Sequence, residues 1–289
     1  MNHTAIHSRM RHLAGVARLP LSRGRWSGTA GIQAGKGTGS SIEFQDQRAY
    51  LPGDDPRHIN WLASARSGTP TMKLYRSEVA PRVDLVVDLS QSMFVDEAKA
   101  ARTWELVYFA LESALRQGGH LRIFALLRRA DGAPVEVEVA AALAHDWPAT
   151  VPAAPGLLAD SLERVPLRSG SLRVFVGDLL DPSPPPATVA RLVAHAGQTL
   201  LLVPVARAER APDWPDAVEF EDCETGRRRR QVVDDAIRVR YAAAYERHFA
   251  QWREAAARRG AGMARVFAEG ELLAALRGEA LAQGVVDIT

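Results

Sequence analysis

The sequence predicts an α/β protein with a doubly wound, mostly parallel sheet. Short apolar runs with the length of buried strands alternate with segments whose apolar residues recur every three or four positions. The clearest strands are residues 83–87, 172–176 and 200–205. A parallel sheet covered by helices on both faces requires this alternation, so the order of elements indicates the fold class.

The N-terminal region carries weaker signals. Its first 42 residues contain no acid, a pattern also typical of organellar transit peptides. However, Ile6, Met10, Leu13 and Val16 are spaced as a short surface helix requires, and we favour the helix. The stretch 35–40 indicates a flexible connector, because it lacks the spacing of a phosphate-binding loop.

The elements after residue 95 follow from periodicity and turn residues. Helices are predicted with an apolar stripe from Trp104 to Leu115 and over 157–165, 187–193, 236–259 and 271–283. Further strands are predicted over 121–127, 135–139 and 263–268, and a hairpin insertion over 218–233. We therefore assign residues 1–80 to an N-terminal extension and 81–289 to the sheet domain.

Composition excludes several classes of protein. The chain has 289 residues, 47% hydrophobic, which is enough for one large core. The net charge is only +2, and the basic run 227–230 is typical of a solvated face, so nucleic-acid binding is not expected. No run approaches the roughly 18 apolar residues that span a membrane. Lone Cys223 excludes an internal disulfide, which is compatible with a cytoplasmic protein.

Oxygen-bearing side chains follow two of the predicted strands. Asp88, Ser90 and Ser92 form a D-x-S-x-S sequence after strand 83–87, and Asp178 follows strand 172–176. Ligands of open α/β sheets bind outside the carboxyl ends of the strands, so these four residues are predicted to hold one hard cation, Mg²⁺ or Mn²⁺. The alternative is structural: Asp88 caps a helix and the serines are turn residues.

This pattern resembles the metal-ion-dependent adhesion site of von Willebrand factor A domains. The resemblance implies a sheet of von Willebrand A type and a cation that accepts a carboxylate from another molecule. The family also has a threonine before the third helix, where this chain has Gly156; Thr150 lies six residues too early. We therefore expect weak metal binding.

A second motif lies upstream. The segment E-F-x-x-x-R-x-Y-x-P-G-D-D-x-R-x-I-N-W-x-x-x-A-R, residues 43–66, resembles the hallmark of the bacterial domain of unknown function 58 family, with Asn60 in place of the usual aspartate. That resemblance implies a following von Willebrand A-like domain. It also implies a genomic habit, because members of the family are commonly encoded beside MoxR-type AAA+ ATPases, and such an ATPase is therefore the expected partner.

The same segment has a readable chemistry. Proline and glycine next to Asp54 and Asp55 predict a turn. The planar guanidinium groups of nearby arginines can each form two hydrogen bonds with one of these carboxylates. The hypothesis is a structural clasp that pins the N-terminal segment onto the sheet, favoured over direct partner binding, with Trp61 as a packed anchor. The residues assigned to this role are Gly53, Asp54, Asp55, Arg57, Trp61 and Arg66.

Two functions of different classes remain. The first is a non-catalytic, metal-dependent adaptor that binds an AAA+ ATPase of MoxR type and its protein client. The alternative is a Mg²⁺-dependent phosphotransferase or phosphatase with Asp88 as nucleophile. The adaptor is favoured, because Ser90 stands where that chemistry needs a second carboxylate and no lysine follows Lys99. Nor do the histidines or serines show a hydrolase pattern.

Overall fold

The computed structural model describes residues 1–21, 44–75, 80–127, 132–149 and 157–288. The chain divides into two compact units, a larger one of Met1–Gly24 and Arg82–Thr289 and a smaller one of Arg25–Pro81. The division near residue 81 lies where the sheet domain was predicted to begin. The first 24 residues differ from the prediction, since they belong to the larger unit.

Helices and strands of the larger unit alternate along the chain, and we number all elements in chain order. Its helices are α1 (His3–Leu13), α3 (Glu97–Arg116), α4 (Val139–Leu143), α5 (Leu158–Glu163), α6 (Pro185–Val193), α7 (Arg207–Arg210), α8 (Asp235–Arg258) and α9 (Leu272–Ala275). Its strands are β1 (Ala17–Arg18), β4 (Arg82–Asp88), β5 (His120–Leu126), β6 (Val135–Val137), β7 (Leu172–Val176), β8 (Gln198–Val205), β9 (Ala217–Glu221), β10 (Arg228–Val232), β11 (Gly262–Phe267) and β12 (Asp287–Ile288).

Six strands form the central sheet in the order β11-β8-β7-β4-β5-β6. Neighbouring strands are parallel except β6, which pairs antiparallel with β5. This confirms the α/β prediction. The predicted strand 135–139 is shorter than expected: Val139 begins α4, because the following alanines favour a helix.

Helices cover the sheet on both faces. On one face, strand residues such as Val86 and Phe175 pack in one buried cluster with α5, α6 and the aromatic side chains of α8. The alternate strand residues, such as Leu85 and Val174, are also fully buried, and α3 packs against β4, β5, β7 and β8. Among the described helices, none combines the length and apolar content that crossing a bilayer requires.

The N-terminal helix α1 packs against α3, and β1 pairs antiparallel with β12 near the C-terminus. Histidines line this contact. His7 lies between His145 and Glu112, with Nδ1 3.0 Å from the Nε2 of His145 and Nε2 2.7 Å from Oε1 of Glu112. The Nδ1 of His3 lies 2.9 Å from the Tyr108 hydroxyl. These contacts explain why the first residues belong to the larger unit.

The predicted hairpin insertion is formed by β9 and β10, which pair antiparallel from Ala217↔Val232 to Glu221↔Arg228. Its turn is built on Asp222, whose Oδ1 accepts hydrogen bonds from the backbone N–H groups of Glu224 and Thr225 at 2.8 and 3.1 Å. Gly226 takes the left-handed conformation that closes the turn. The turn therefore fixes the backbone position of residue 224.

The smaller unit pairs β2 (Phe44–Ala49) antiparallel with β3 (Thr71–Tyr75). Between them lie a 3₁₀ helix at Pro56–His58 and α2 (Trp61–Ser67). Asp55 caps the 3₁₀ helix, and Asn60 caps α2 by accepting a hydrogen bond from the N–H of Ala63. Asn60 thus has a local structural role as the N-cap of α2, and the aspartate usual in the family at this position could fill the same role.

Candidate functional site

The order of the strands places the candidate site. Strands β4 and β7 are adjacent and parallel, but the chain leaves β4 toward β5 on one side and leaves β7 toward β8 on the other. Such a reversal is a topological switch point, where open α/β sheets hold their ligands outside the carboxyl ends of the strands. Asp88 ends β4, and Asp178 comes two residues after β7. Both predicted carboxylates therefore lie at the switch point.

The two strand ends approach each other closely. Val87 is in register with Val176, so Gly177 comes level with Asp88. A Cβ atom on residue 177 would lie 2.9 Å from the Cβ of Asp88 and 2.6 Å from the Phe175 ring. Only glycine fits there, and its absence of a side chain leaves room for the fully buried Asp88.

The D-x-S-x-S loop turns back on its own aspartate. The N–H of Ser90 donates to Oδ1 of Asp88 at 2.9 Å, and the hydroxyl oxygens of Ser90 and Ser92 lie 3.1 Å apart. Asp88 is not a helix cap, since α3 is capped by Asp96, whose Oδ1 accepts from the Lys99 N–H. The loop therefore brings two hydroxyls together beside a buried carboxylate.

This hydroxyl separation fits a hard cation. Neighbouring ligands of an octahedral Mg²⁺ with bonds of about 2.1 Å are about 3.0 Å apart. Asp88, Ser90 and Ser92 offer only oxygen donors, the class that Mg²⁺ and Mn²⁺ prefer. Counting His, Cys, Asp and Glu alone, the described part of the chain holds no group of three that could bind a metal. The fit consequently depends on the serine hydroxyls.

The fourth predicted ligand, Asp178, has an unexpected partner. The Nζ of Lys99 lies 2.8 Å from its Oδ2, and the N–H of Leu180 donates to its Oδ1 at 3.0 Å. Lys99 and Asp178 are each 1% exposed. The structure thus brings Asp178 to the site with both of its oxygens engaged by hydrogen bonds, and its role as a fourth cation ligand stays a prediction.

Lys99 also contacts a second carboxylate, since its Nζ lies 2.5 Å from Oε1 of the half-buried Glu209. Burial is the largest influence and lowers the pKa of Lys99, but the attraction of Asp178 and Glu209 outweighs it and the net pKa is raised. The ammonium is therefore held charged. Lys99 lies eight residues before Val107 on the buried face of α3, and that spacing was a usable signal.

Glu224 is a second residue that the sequence did not indicate. It reaches the site from the β9–β10 turn, and its Oε1 accepts a hydrogen bond from the N–H of Ser92 at 3.1 Å. Its Oε2 is buried and has no hydrogen-bond partner among the described residues. Thr150 and Gly156, the positions compared with the missing threonine, lie outside the described residues.

The upstream motif lies in the smaller unit. Arg48 holds Asp54 through two hydrogen bonds of 2.7 and 2.6 Å, and the N–H of Leu51 donates to the same carboxylate at 2.8 Å. Arg57 pairs with Asp55 at 2.7 Å, and this contact lowers the pKa of Asp55 to about 2. Gly53 has a φ of +103°, a backbone conformation that residues with a side chain rarely adopt. These contacts lie within the smaller unit itself.

Two residues of the motif differ from expectation. Trp61 was predicted to be a packed anchor but is 70% exposed, because it occupies the first position of α2 and faces away from the apolar interior. Arg66 was expected to offer its guanidinium to Asp54, Asp55 or Glu43. It is exposed in the last turn of α2, and the two aspartates pair with Arg48 and Arg57 instead.

Comparison with known families now adds to this description. The family model described as "Protein of unknown function DUF58" matches residues 46–251. The chain belongs to the DUF58 family. This match confirms the resemblance drawn from the motif at 43–66, and it extends over the strand-end site and the β9–β10 hairpin.

Relatives of this DUF58 protein occur in mycobacteria. An uncharacterized protein of Mycobacterium tuberculosis, Rv1480, and one of Mycobacterium bovis, Mb1516, are each 29% identical over 223 residues, which is 73% of this chain and 69% of theirs. A crystal structure of the conserved hypothetical protein BatB from Bacteroides thetaiotaomicron aligns with a TM-score of 0.36 and 10% identity. That alignment covers 71% of this chain and 97% of BatB.

Proposed function

We propose that this DUF58 protein is a non-catalytic adaptor of von Willebrand A type that binds an acidic side chain of a partner protein through a divalent cation. The observation that carries the proposal is the pair of serine hydroxyls 3.1 Å apart beside buried Asp88, at the switch point of the sheet. Asp88, Ser90 and Ser92 would hold the cation, which would be Mg²⁺ or Mn²⁺.

The charges of these residues favour a carboxylate from outside. Ser90 and Ser92 are neutral, and the negative charge of Asp178 is balanced by Lys99. Asp88, Ser90 and Ser92 therefore compensate only part of a dication's charge, and a partner's Asp or Glu would supply a further negative charge. The resemblance noted for the upstream motif makes a cytoplasmic MoxR-type AAA+ ATPase, or its protein client, the proposed partner.

The alternative of a Mg²⁺-dependent phosphatase or phosphotransferase is weaker. Such an enzyme needs a cationic side chain that contacts the phosphate, and Lys99 lies at the carboxyl end of the strands, where a substrate would bind. However, Lys99 is 1% exposed and paired with Asp178 and Glu209, so its ammonium has no free face for a substrate. Ser90 also cannot act as the acid and base that hydrolysis of a phospho-aspartate requires.

Capture of partners from the native host tests the proposal. The full chain should retain its AAA+ partner in millimolar Mg²⁺ and lose it in excess EDTA. Asp88→Asn, which keeps the oxygen that accepts the Ser90 N–H, should fail to retain the partner in either buffer. Ser183→Ala is a matched control, because its hydroxyl lies on a different loop and contacts the Ala159 N–H. Equal capture with and without EDTA would contradict the proposal.

A further inference from the structure

Glu224 brings a carboxylate of the β9–β10 turn to the D-x-S-x-S loop, where its Oε1 contacts the backbone of Ser92. We infer that Glu224 is the chain's own carboxylate ligand at the cation site, so that the acidic side chain of a partner binds by displacing it. This inference rests on the proposed function, because it assumes a cation held by Asp88, Ser90 and Ser92. It adds a residue of this chain and defines what a partner must compete with.

The contact between hairpin and loop is direct. Oε1 of Glu224 accepts the N–H of Ser92 at 3.1 Å, although 132 residues separate them. The backbone N–H of Glu224 is itself fixed by Asp222 at 2.8 Å. The β9–β10 turn therefore presents this carboxylate to the same residue whose hydroxyl belongs to the proposed ligand set.

The second oxygen of the carboxylate points to a missing partner. Oε2 is buried and accepts no hydrogen bond from any described residue. A buried carboxylate oxygen without a donor or cation is unfavourable, since it has lost its hydrogen bonds to water and has formed no interaction in their place. A cation beside Ser92 would satisfy this oxygen, and the ligand set would then consist of two carboxylates and two hydroxyls.

Other acids on the same hairpin behave differently. Glu219 ion-pairs with Arg230 at 3.0 Å and Glu221 with Arg228 at 2.9 Å, and all four side chains are exposed. Glu224 forms no ion pair with a lysine or arginine within the described residues, even though Arg227 is only three positions away. Within the described residues, a metal ion would therefore not have to displace an ion-pair partner from this carboxylate.

Competition between Glu224 and a partner follows from the coordination chemistry. A position filled by the carboxylate of Glu224 is closed to the carboxylate of another molecule. Removing the charge of Glu224 should therefore weaken the hold on the cation and at the same time open one position to water or to an external carboxylate. Cation binding should therefore become weaker, whereas binding of an external carboxylate to the bound cation should become stronger. A general loss of structure would weaken both.

Mn²⁺ titrations with water-proton relaxation test the inference on the full chain. Glu224→Gln keeps the oxygen that accepts the Ser92 N–H and removes only the charge; Glu221→Gln is the matched control on the same hairpin. We expect Glu224→Gln to raise the Mn²⁺ dissociation constant severalfold. It should also raise the relaxivity of each bound Mn²⁺, because a water replaces the carboxylate. Acetate should then lower that relaxivity in Glu224→Gln and leave the wild type nearly unchanged.

The outcomes distinguish the inference from the proposed function. Mn²⁺ binding with the same affinity and relaxivity in wild type and Glu224→Gln would overturn the role of Glu224 and leave the cation site standing. An absence of Mn²⁺ binding in wild type and both variants would overturn the proposed function, and the inference with it. A change of equal size in Glu221→Gln would also overturn the inference, since it would be an effect of hairpin charge alone.

Discussion

The ammonium of Lys99 and the carboxylate of Asp178 form a buried ion pair, 2.8 Å long, at the carboxyl end of β7. The pair lies beside the proposed cation site, and it changes the role expected for Asp178. Of the two strand-end aspartates, Asp178 is balanced by a lysine of α3, and Asp88 accepts a hydrogen bond from the N–H of Ser90 in the serine loop.

Lys99→Met should destabilise the protein strongly in the absence of divalent cations. Removing one partner of a buried ion pair leaves an uncompensated charge, which costs about 3–5 kcal/mol. Millimolar Mg²⁺ should restore more stability to this variant than it adds to the wild type, because Asp178 becomes available to the cation. Urea denaturation with and without Mg²⁺ measures both effects.

The control for that experiment is Lys99→Met combined with Asp178→Asn. The double variant no longer buries the Asp178 charge, so it should be less destabilised than Lys99→Met and should lose the enhanced response to Mg²⁺. A single variant as stable as the wild type, or one indifferent to Mg²⁺, would contradict the role assigned to the pair.

Gly177→Ala should destabilise the larger unit by about 1–3 kcal/mol, the usual cost of forcing an extra methyl group into a packed site. The added Cβ would lie 2.6 Å from the Phe175 ring and 2.9 Å from the Cβ of Asp88. A midpoint of chemical denaturation for Gly177→Ala equal to that of the wild type would argue against the close approach of the strand ends.

Acid should weaken the docking of α1. Burial, with a smaller contribution from the neighbouring His145, lowers the pKa of His3 below its usual 6.5, and burial lowers the pKa of His145 as well. Because the folded protein binds these protons less readily than the unfolded chain, their contribution to stability is present above about pH 6.5 and is lost as the pH falls below it. The groups around His3 are Trp104, Tyr108 and His145.

Hydrogen exchange of the α1 amides between pH 7.5 and 5, corrected for intrinsic rates, measures this loss. His3→Asn should flatten the pH dependence, since asparagine does not titrate. An identical pH dependence in wild type and His3→Asn would show that His3 takes no part in it.

The upstream motif should divide into a stronger and a weaker contact. Asp54 joins Arg48 of β2 to the N–H of Leu51. Within the described residues, the hydrogen bonds of the Asp55 carboxylate are to the nearby Arg57, whose side chain is 87% exposed. Asp54→Asn should therefore lower the melting temperature more than Asp55→Asn, because exposed ion pairs contribute little. Calorimetry of both variants checks the order, and the reverse order would contradict this reading of the turn.

Much of the fold and part of the site could be predicted from local patterns. Apolar runs ending in Asp88 and Asp178 identified two strand ends, and a parallel sheet necessarily brings such ends to one edge. The strand order, which makes this edge a switch point, depends on pairing between distant segments and leaves no local signal.

The residues that prediction missed are long-range partners. Lys99 reaches Asp178 and Glu209 across 79 and 110 residues, and Glu224 reaches Ser92 across 132. Spacing along α3 could indicate that Lys99 lies on the buried face, but the partner of each residue depends on how a helix or hairpin packs on the sheet, which spacing does not encode. The exposure of Trp61 was mispredicted for a related reason: a tryptophan favours burial on average, but the orientation of α2 decides the individual case.

Calorimetric titration of Mn²⁺ into the full chain measures the proposed cation site itself. We expect a single site in the wild type and a dissociation constant raised on the order of tenfold or more in Ser90→Ala, since that variant loses one oxygen ligand. Ser183→Ala should bind as the wild type does. No binding to the wild type, or equal binding to wild type and Ser90→Ala, would contradict a cation site built on Asp88, Ser90 and Ser92.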